Sequence, residues 1–264
     1  MKLVLASAED PAAKNIAMQM LKDYDFKKSP SLTNAYVYGN VTLMVISGEV
    51  TQITELPIDA EEVIVASRHA SESGTPTLTV HVPGEVEKMR LAEASPSTVK
   101  TALRTLVEMR DKFGLIYDVS LEATHHGPTR IDVPVTFVEI GSSSKQWHDK
   151  KAGAAVAHAI MVAATLPMKC RHAIGLGGPH YAPHHTNVAL FTDIGVGHVL
   201  PKYVNIDEML IERAFVRTRG GVELLALDWK GMNSEQRQIS QRVADRLGIQ
   251  VVRTRKILWG KGLN

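Results

Sequence analysis

Short apolar runs alternate with amphipathic stretches along the whole chain, a rhythm that predicts an α/β fold with a mixed, largely parallel sheet flanked by helices. KLVLAS (2–7) reads as a buried strand. Asp10 and Pro11 then supply a helix cap and a first-turn proline, and Ile16, Met18, Met20 and Leu21 carry the helix toward Asp23. AYVYG and VTLMVIS predict a hairpin closed by Gly39-Asn40. EEVIVAS and TLTVHV are the next strands, joined by the irregular loop SRHASESGTP. A helix is predicted from Ser97 to Gly114, and YDVSLEA and VTFVEIG follow as strands around the loop THHGPTRIDVP. The second half predicts a helix from about Lys145 to Thr165, strands at HAIGL and NVALFT, and a helix at IDEMLIERAFVR. A strand at VELLALD, a helix at NSEQRQISQRVADRLG and a strand at QVVRT complete it, and no internal repeat interrupts the series.

Composition narrows the class. The 264 residues, 44% of them hydrophobic, can bury one sizeable core over 1–264, with a soft subdivision near residue 140. A lone cysteine, Cys170, excludes an internal disulfide and points to a reducing, cytoplasmic setting. The start MKLVLASAED is too short in apolar residues for a secretory signal, and no run approaches the roughly 18–20 residues that cross a bilayer. Charge is uneven. Residues 1–140 hold 13 Lys and Arg against 19 Asp and Glu, and the remainder 17 against 9, so the halves carry −6 and +8. Arg253, Arg255, Lys256 and Lys261 surround Trp259, a pattern that suits phosphate contact with base stacking or, more plainly, a solvated basic tail.

Two loops concentrate the chemistry. EATHHGPT (122–129) places Glu122 and Thr124 beside His125 and His126, of which an extended backbone would turn only one toward a given pocket. GLGGPHYAPHHT (175–186) sets Gly177 and Gly178 before His180, Tyr181, His184 and His185. Five of the 11 histidines thus lie in two loops, while His69, His81, His158 and His172 read as lone structural residues. Imidazoles with Glu122 or Asp193 could hold a three-ligand zinc; a metal-free alternative uses one histidine as base, with the glycine-turn N–H groups stabilising an oxyanion. Cys170 lacks the neighbours of a nucleophile, and Ser142, Ser143 and Ser144 read as a helix cap whose backbone could also bind an anion. Neither loop has the spacing of a dinucleotide fingerprint or a phosphate-binding loop.

Taken together, SRHAS (67–71), SGTPTLTVHVPG (73–84), EATHHGPT (122–129), FVEIGSSSKQW (137–147), GGPHYAPHHT (177–186) and GHVLPKY (197–203) resemble the motifs of the archaeal and plant D-aminoacyl-tRNA deacylases. The chain departs from that pattern at Pro179, where a small or glycine-like residue is expected, and at His184. The resemblance implies a zinc-binding hydrolase that frees a D-amino acid from the 3′ end of tRNA, with a fold similar in part to peptidyl-tRNA hydrolases and nucleoside phosphorylases. The two histidine loops supply the expected catalytic residues, His125, His126 and His180, and the expected zinc ligands, Glu122, His184 and His185, the resemblance itself singling out no one base. Thr124, Ser142, Ser143, Gly177, Gly178, Tyr181, Arg253, Arg255 and Lys256 are the expected substrate-binding set, the last three for the acceptor stem, in a protein expected to act as a monomer. The residues alone leave open another metal-dependent hydrolase, a phosphorylase on a nucleoside-like substrate, or a non-catalytic RNA-binding module.

Overall fold

A computed structural model describes residues 1–258, so Trp259 and Lys261 lie outside the described residues. In chain order the first part runs β1 (Lys2–Ser7), α1 (Pro11–Asp23), β2 (Lys27–Lys28), β3 (Ala35–Tyr38), β4 (Val41–Ile46), β5 (Glu62–Arg68), β6 (Thr77–His81), β7 (Gly84–Glu85), β8 (Arg90–Leu91), α2 (Pro96–Phe113), β9 (Asp118–Leu121) and β10 (Val135–Gly141). The second part runs α3 (Ser144–Trp147), α4 (Lys150–Thr165), β11 (Arg171–Leu176), α5 (Pro183–Phe191), β12 (Ile194–Leu200), α6 (Glu208–Val216), β13 (Leu224–Leu227), α7 (Ser234–Leu247), β14 (Gln250–Arg253) and α8 (Thr254–Leu258).

The expected mixed, largely parallel α/β architecture is present, divided between two main sheets. Eight strands order as β2-β3-β4-β1-β5-β10-β6-β9, and four parallel strands as β12-β11-β13-β14. In the larger sheet β4, β1, β5 and β10 run parallel, β6 turns antiparallel to β10, and β9 runs parallel to β6. Strands β5 and β10 are buried at nearly every position because both of their faces are covered. Helix α2 joins the two sheets, packing on β6 of one and β12 of the other.

Local chemistry explains the boundaries. The Asp10 carboxylate accepts from Ala12 N and Ala13 N at 2.8 and 3.0 Å, and Pro11 opens α1 with a preset φ. The helix expected at Lys145–Thr165 is two helices, because Asp149 caps a fresh start with bonds from Lys151 N (2.9 Å) and Ala152 N (3.3 Å). Helix α2 begins at Pro96 rather than Ser97.

The strand expected at NVALFT is helix α5, and the strand lies just beyond it at β12. An apolar run this short fits either period, and Pro183 in the first turn tips it to a helix. Buried Lys100 of α2 then donates Nζ to the carbonyls of Ala189 (2.5 Å), Thr192 (2.7 Å) and Ile194 (3.1 Å), joining the end of α5 to the start of β12. Gly195 and Gly197 serve close packing: a Cβ on Gly195 would lie 2.5 Å from Cys170 Sγ and 2.7 Å from Pro96 O.

Candidate active site

The larger sheet sets one row of the site by register. Phe137 and Glu139 of β10 stand opposite His81 and Thr79 of β6, so period-2 alternation puts all four on one face. Strand β9 pairs with β6 at Val80↔Leu121, which brings Glu122, the next residue, beside His81. His69 follows directly after β5 and reaches the same carboxylates. His81 stacks on Phe137 with ring centroids 5.0 Å apart.

The smaller sheet supplies the rest. After β11 the chain turns through Gly177 and Gly178, both at positive φ, and returns alongside Glu122, where Ala123 N donates to His180 O at 2.7 Å. Tyr181 forms an antiparallel bridge with Glu122. The site therefore straddles the junction of the two sheets.

At its centre the carboxylate of Glu122 is 1% exposed. His69 Nδ1 lies 3.1 Å from its Oε1, while His180 Nε2 (3.3 Å), His125 Nε2 (3.6 Å) and His81 Nδ1 (4.0 Å) surround its Oε2. None of these contacts has hydrogen-bond alignment, so both oxygens of Glu122 and both ring nitrogens of His81 are buried without a hydrogen bond. Burial of that kind ordinarily costs about 1–3 kcal/mol per neutral group and more for a charge.

The two loop histidines both face the cluster. The expectation that only one could do so assumed an extended backbone, but His126 has φ +41° and its ring lies 4.3 Å from that of His125 and 4.9 Å from that of His81. His125 Nδ1–H donates to Ala123 O (2.7 Å) and His126 Nδ1–H to Gly127 O (2.6 Å). A carbonyl only accepts, so each ring carries its lone pair on Nε2. Two rings are also tied at their outer nitrogens to phenols, His69 Nε2 to Tyr181 Oη at 2.7 Å and His180 Nδ1 to Tyr203 Oη at 3.1 Å.

Electrostatics follow the packing. Burial, with neighbouring His126, pushes His125 down to about 4, and burial lowers His69, His126 and, most strongly, His81. Burial alone would raise Glu122, but His180, His69 and His125 outweigh it and hold the carboxyl below the usual range. Glu139 is pushed well up by burial and by the charge of Glu122. Burial thus favours the neutral form of His69, His81, His125 and His126, while the Glu122 carboxyl is held toward its ionised form.

Such donors fit a metal. Three overlapping sets have ligand atoms within 4.8 Å of one another: Glu122 with His125 and His180, His69 with Glu122 and Glu139, and His81 with His125 and His126. Nitrogen and carboxylate oxygen at these spacings, with orphaned atoms at the centre, form a cation-binding arrangement.

Other expectations are redirected. His184 and His185 do not join Glu122. His184 Nδ1 lies 3.0 Å from Asp228 Oδ1, and fully buried His185 donates Nε2–H to Gly177 O at 3.2 Å, bracing the glycine turn from inside. Asp193 is exposed at the start of β12 and belongs to none of the three sets. His69 and His81, read in sequence as structural, are cluster members. His158 and His172 sit apart from it, bonded to Tyr24 Oη (2.6 Å) and Gly221 O (3.1 Å).

The glycines approach their own chain rather than a ligand. A Cβ on Gly177 would lie 2.5 Å from Met232 Cγ, and the space beside Gly178 holds Asp228. Gly177 N–H is already given to Leu200 O (2.8 Å), which removes it as an oxyanion donor. Ser143 forms a capping box with Gln146, and Ser142 Oγ donates to Thr75 O (2.5 Å). Thr124 staples the junction, its N–H bonding Val199 O (2.8 Å) and its Oγ1 accepting from Val199 N (3.1 Å).

Two clefts flank the cluster. One, of about 280 Å³, is bounded by Gly84–Lys88, His125, His126 and Tyr203; the other, of about 520 Å³, by Tyr181, Thr77, Ser120, Thr186 and Asn187. A third, of about 240 Å³, lies among Asp228, Trp229, Lys230, Arg253, Arg255 and Lys256, with the Arg253 guanidinium 3.6 Å from the Trp229 ring centroid.

An α/β scaffold that gathers histidines around a buried carboxylate, between open clefts, suits a hydrolase. Comparison with known proteins gives the family. The D-aminoacyl-tRNA deacylase family model matches residues 56–252. The D-aminoacyl-tRNA deacylase of Pyrococcus furiosus is 34% identical over 96% of this chain and 100% of its own length, and that of Thermococcus kodakarensis 35% identical over the same shares. A crystal structure described as a conserved protein of unknown function superposes with a TM-score of 0.91 at 31% identity, covering 98% of this chain and 97% of its own. The chain belongs to the D-aminoacyl-tRNA deacylase family.

Proposed function

We propose that this chain hydrolyses the ester joining a D-amino acid to the 3′ end of tRNA at the Glu122–histidine cluster, with zinc as its metal and in the cytoplasm. The observation that carries this reading is the buried Glu122 carboxylate, ringed by His69, His125 and His180, with neither oxygen hydrogen-bonded. Glu122, His125 and His180 are the first ligand set, and His69 and Glu139 extend it. When bound, zinc supplies a Lewis acid for the ester carbonyl and acidifies water.

The side chains divide the remaining work. Tyr181 and Tyr203 orient His69 and His180 through their outer nitrogens, as outer partners of ligand histidines do. His126, whose Nε2 lone pair is free and which lines the smaller cleft, takes the proton from water at Nε2. The water oxygen bonds to the carbonyl carbon, the bond from that carbon to the ribose oxygen breaks, and the proton passes to the ribose oxygen. The intrinsic lability of an aminoacyl ester leaves positioning as the main requirement. Chiral choice comes from cleft walls that seat the D side chain and misplace the carbonyl of the L form. Exposed Arg253, Arg255 and Lys256 contact RNA phosphates, which makes binding salt-dependent and largely indifferent to sequence.

The test incubates the protein with D-Tyr-tRNA and L-Tyr-tRNA, with and without a chelator and with zinc restored. Release from the D form alone, lost with the chelator and regained with zinc, is expected. Equal, negligible release from both forms would defeat the reading.

A further inference from the structure

The three clefts differ in what they can bind, and the difference gives the substrate a direction. Tyr203 is 60% exposed, yet its hydroxyl is held 3.1 Å from His180 Nδ1. Tethered at its tip, the ring cannot fold away, and it presents an aromatic face over the cleft that His125 and His126 also line. A fixed, exposed aromatic face beside a reactive centre suits a nucleobase, because stacking needs only the π-surface that every base has.

The cleft itself carries Glu85 and Glu87 against Lys88, and the run of cations begins only beyond Tyr203. Lys202, next to Tyr203, donates its N–H to Gly178 O at 2.9 Å, and Gly178 abuts Asp228 and Gly231. From there the wall continues through Lys230, Arg253, Arg255 and Lys256, all exposed. His180 and Gly178 are two residues apart, no more than about 7 Å of extended chain, so the basic cleft begins close to the cluster. The cleft beyond Tyr181 has another character: it is larger, its near wall carries Thr77, Ser120, Thr186 and Asn187, and its charged residues are one of each sign, Arg110 and Asp118.

Resting on the reading of the cluster as an aminoacyl-ester hydrolase, we propose that the RNA end and the amino acid occupy opposite sides of it. The terminal base stacks on Tyr203, the preceding phosphates follow Lys202 to the Arg253–Lys256 edge, and the amino-acid side chain fills the cleft bounded by Tyr181 and Asn187. The ester then lies over Glu122, between the two phenol-tethered histidines.

Tyr203→Phe and Tyr203→Ala both lose the hydroxyl and differ only in the ring, so their comparison isolates the stack. With D-Tyr-tRNA, the KM of Tyr203→Ala is expected to exceed that of Tyr203→Phe by about tenfold. With D-tyrosine ethyl ester, which has no base, the two variants should share one kcat/KM. Equal KM values on D-Tyr-tRNA, or an equal gap on the ethyl ester, would overturn the assignment. Asn187→Phe tests the other side: it should slow D-Tyr-tRNA at least tenfold more than D-Ala-tRNA, and the same factor for both would overturn it. A wild-type protein that cleaves neither tyrosyl substrate overturns the hydrolase reading as well, whereas one that cleaves both with no Phe/Ala gap overturns the polarity alone.

Discussion

Gly177→Ala perturbs the turn that carries His180 and Tyr181 to Glu122. Two costs add at this position. With φ at +83° an alanine is held where L side chains are strained, at about 1–2 kcal/mol. Its Cβ would also lie 2.5 Å from Met232 Cγ and 3.1 Å from the carbonyl oxygens of Asp228 and Gly231, an overpacking of about 1–3 kcal/mol. Gly221 is the control: its φ is +80°, but nothing lies within 4 Å of the added Cβ. Gly221→Ala should therefore cost only the strain. At about 2–4 °C per kcal/mol for a chain of this size, calorimetry should show Tm lowered by roughly 2–8 °C for Gly221→Ala and 4–20 °C for Gly177→Ala. The two ranges overlap, so the ordering within one preparation is the test. Gly177→Ala should also lower kcat, because the displaced turn carries His180. Equal Tm losses would refute the packing argument, and a full kcat with the larger Tm loss would refute the link from turn to site.

Other outcomes follow from the same geometry. Lys100→Met leaves the carbonyls of Ala189, Thr192 and Ile194 without their donor, and should lower the urea midpoint by the equivalent of about 3 kcal/mol with m unchanged; a loss under about 1 kcal/mol would contradict that role. His185 and His198, both fully buried, are pushed down to about 4 by burial, against about 6.5 when unfolded. The unfolded chain binds protons first as pH falls, so stability from these rings is complete above about 6.5 and lost toward 4, by up to about 3 kcal/mol each. His198→Gln should flatten urea-derived stability between pH 7 and 5, and an unchanged slope would count against the argument. Glu122→Gln removes the charge shared by the histidines and should reduce both bound zinc, measured by elemental analysis, and hydrolysis by at least about a hundredfold. Wild-type zinc content in that variant would place the metal elsewhere.

Much of the fold is legible in sequence because single elements leave local signals: Asp10-Pro11 marks a helix start, and the alternation of AYVYG and VTLMVIS marks a hairpin. NVALFT misleads because a six-residue apolar run carries no period, and the Lys100 contacts that help define the end of α5 come from 89 to 94 residues away. In the site, clustering within a loop exposes His125, His126 and His180, but His69 and His81 stand alone in sequence and meet only through strand register. One signal for them exists: a titratable residue ends or follows each of β5, β6 and β9, and Glu139 is the one charged residue in VTFVEIG. The pairing of His184 with Asp228 carries no such mark, since proximity in sequence to His180 suggests a shared site that the turn of α5 prevents.

The seam between the sheets has a consequence for the life of the chain. Glu122 and His125 emerge from the first half and His180 and Tyr181 from the second, and backbone bonds such as Ala123 N to His180 O hold them together. Neither half alone gathers the cluster proposed as the ester-cleaving centre. On that proposal, a nascent chain on the ribosome, surrounded by charged tRNA, is expected to stay inert until its second sheet docks, so that activity begins only with the finished fold.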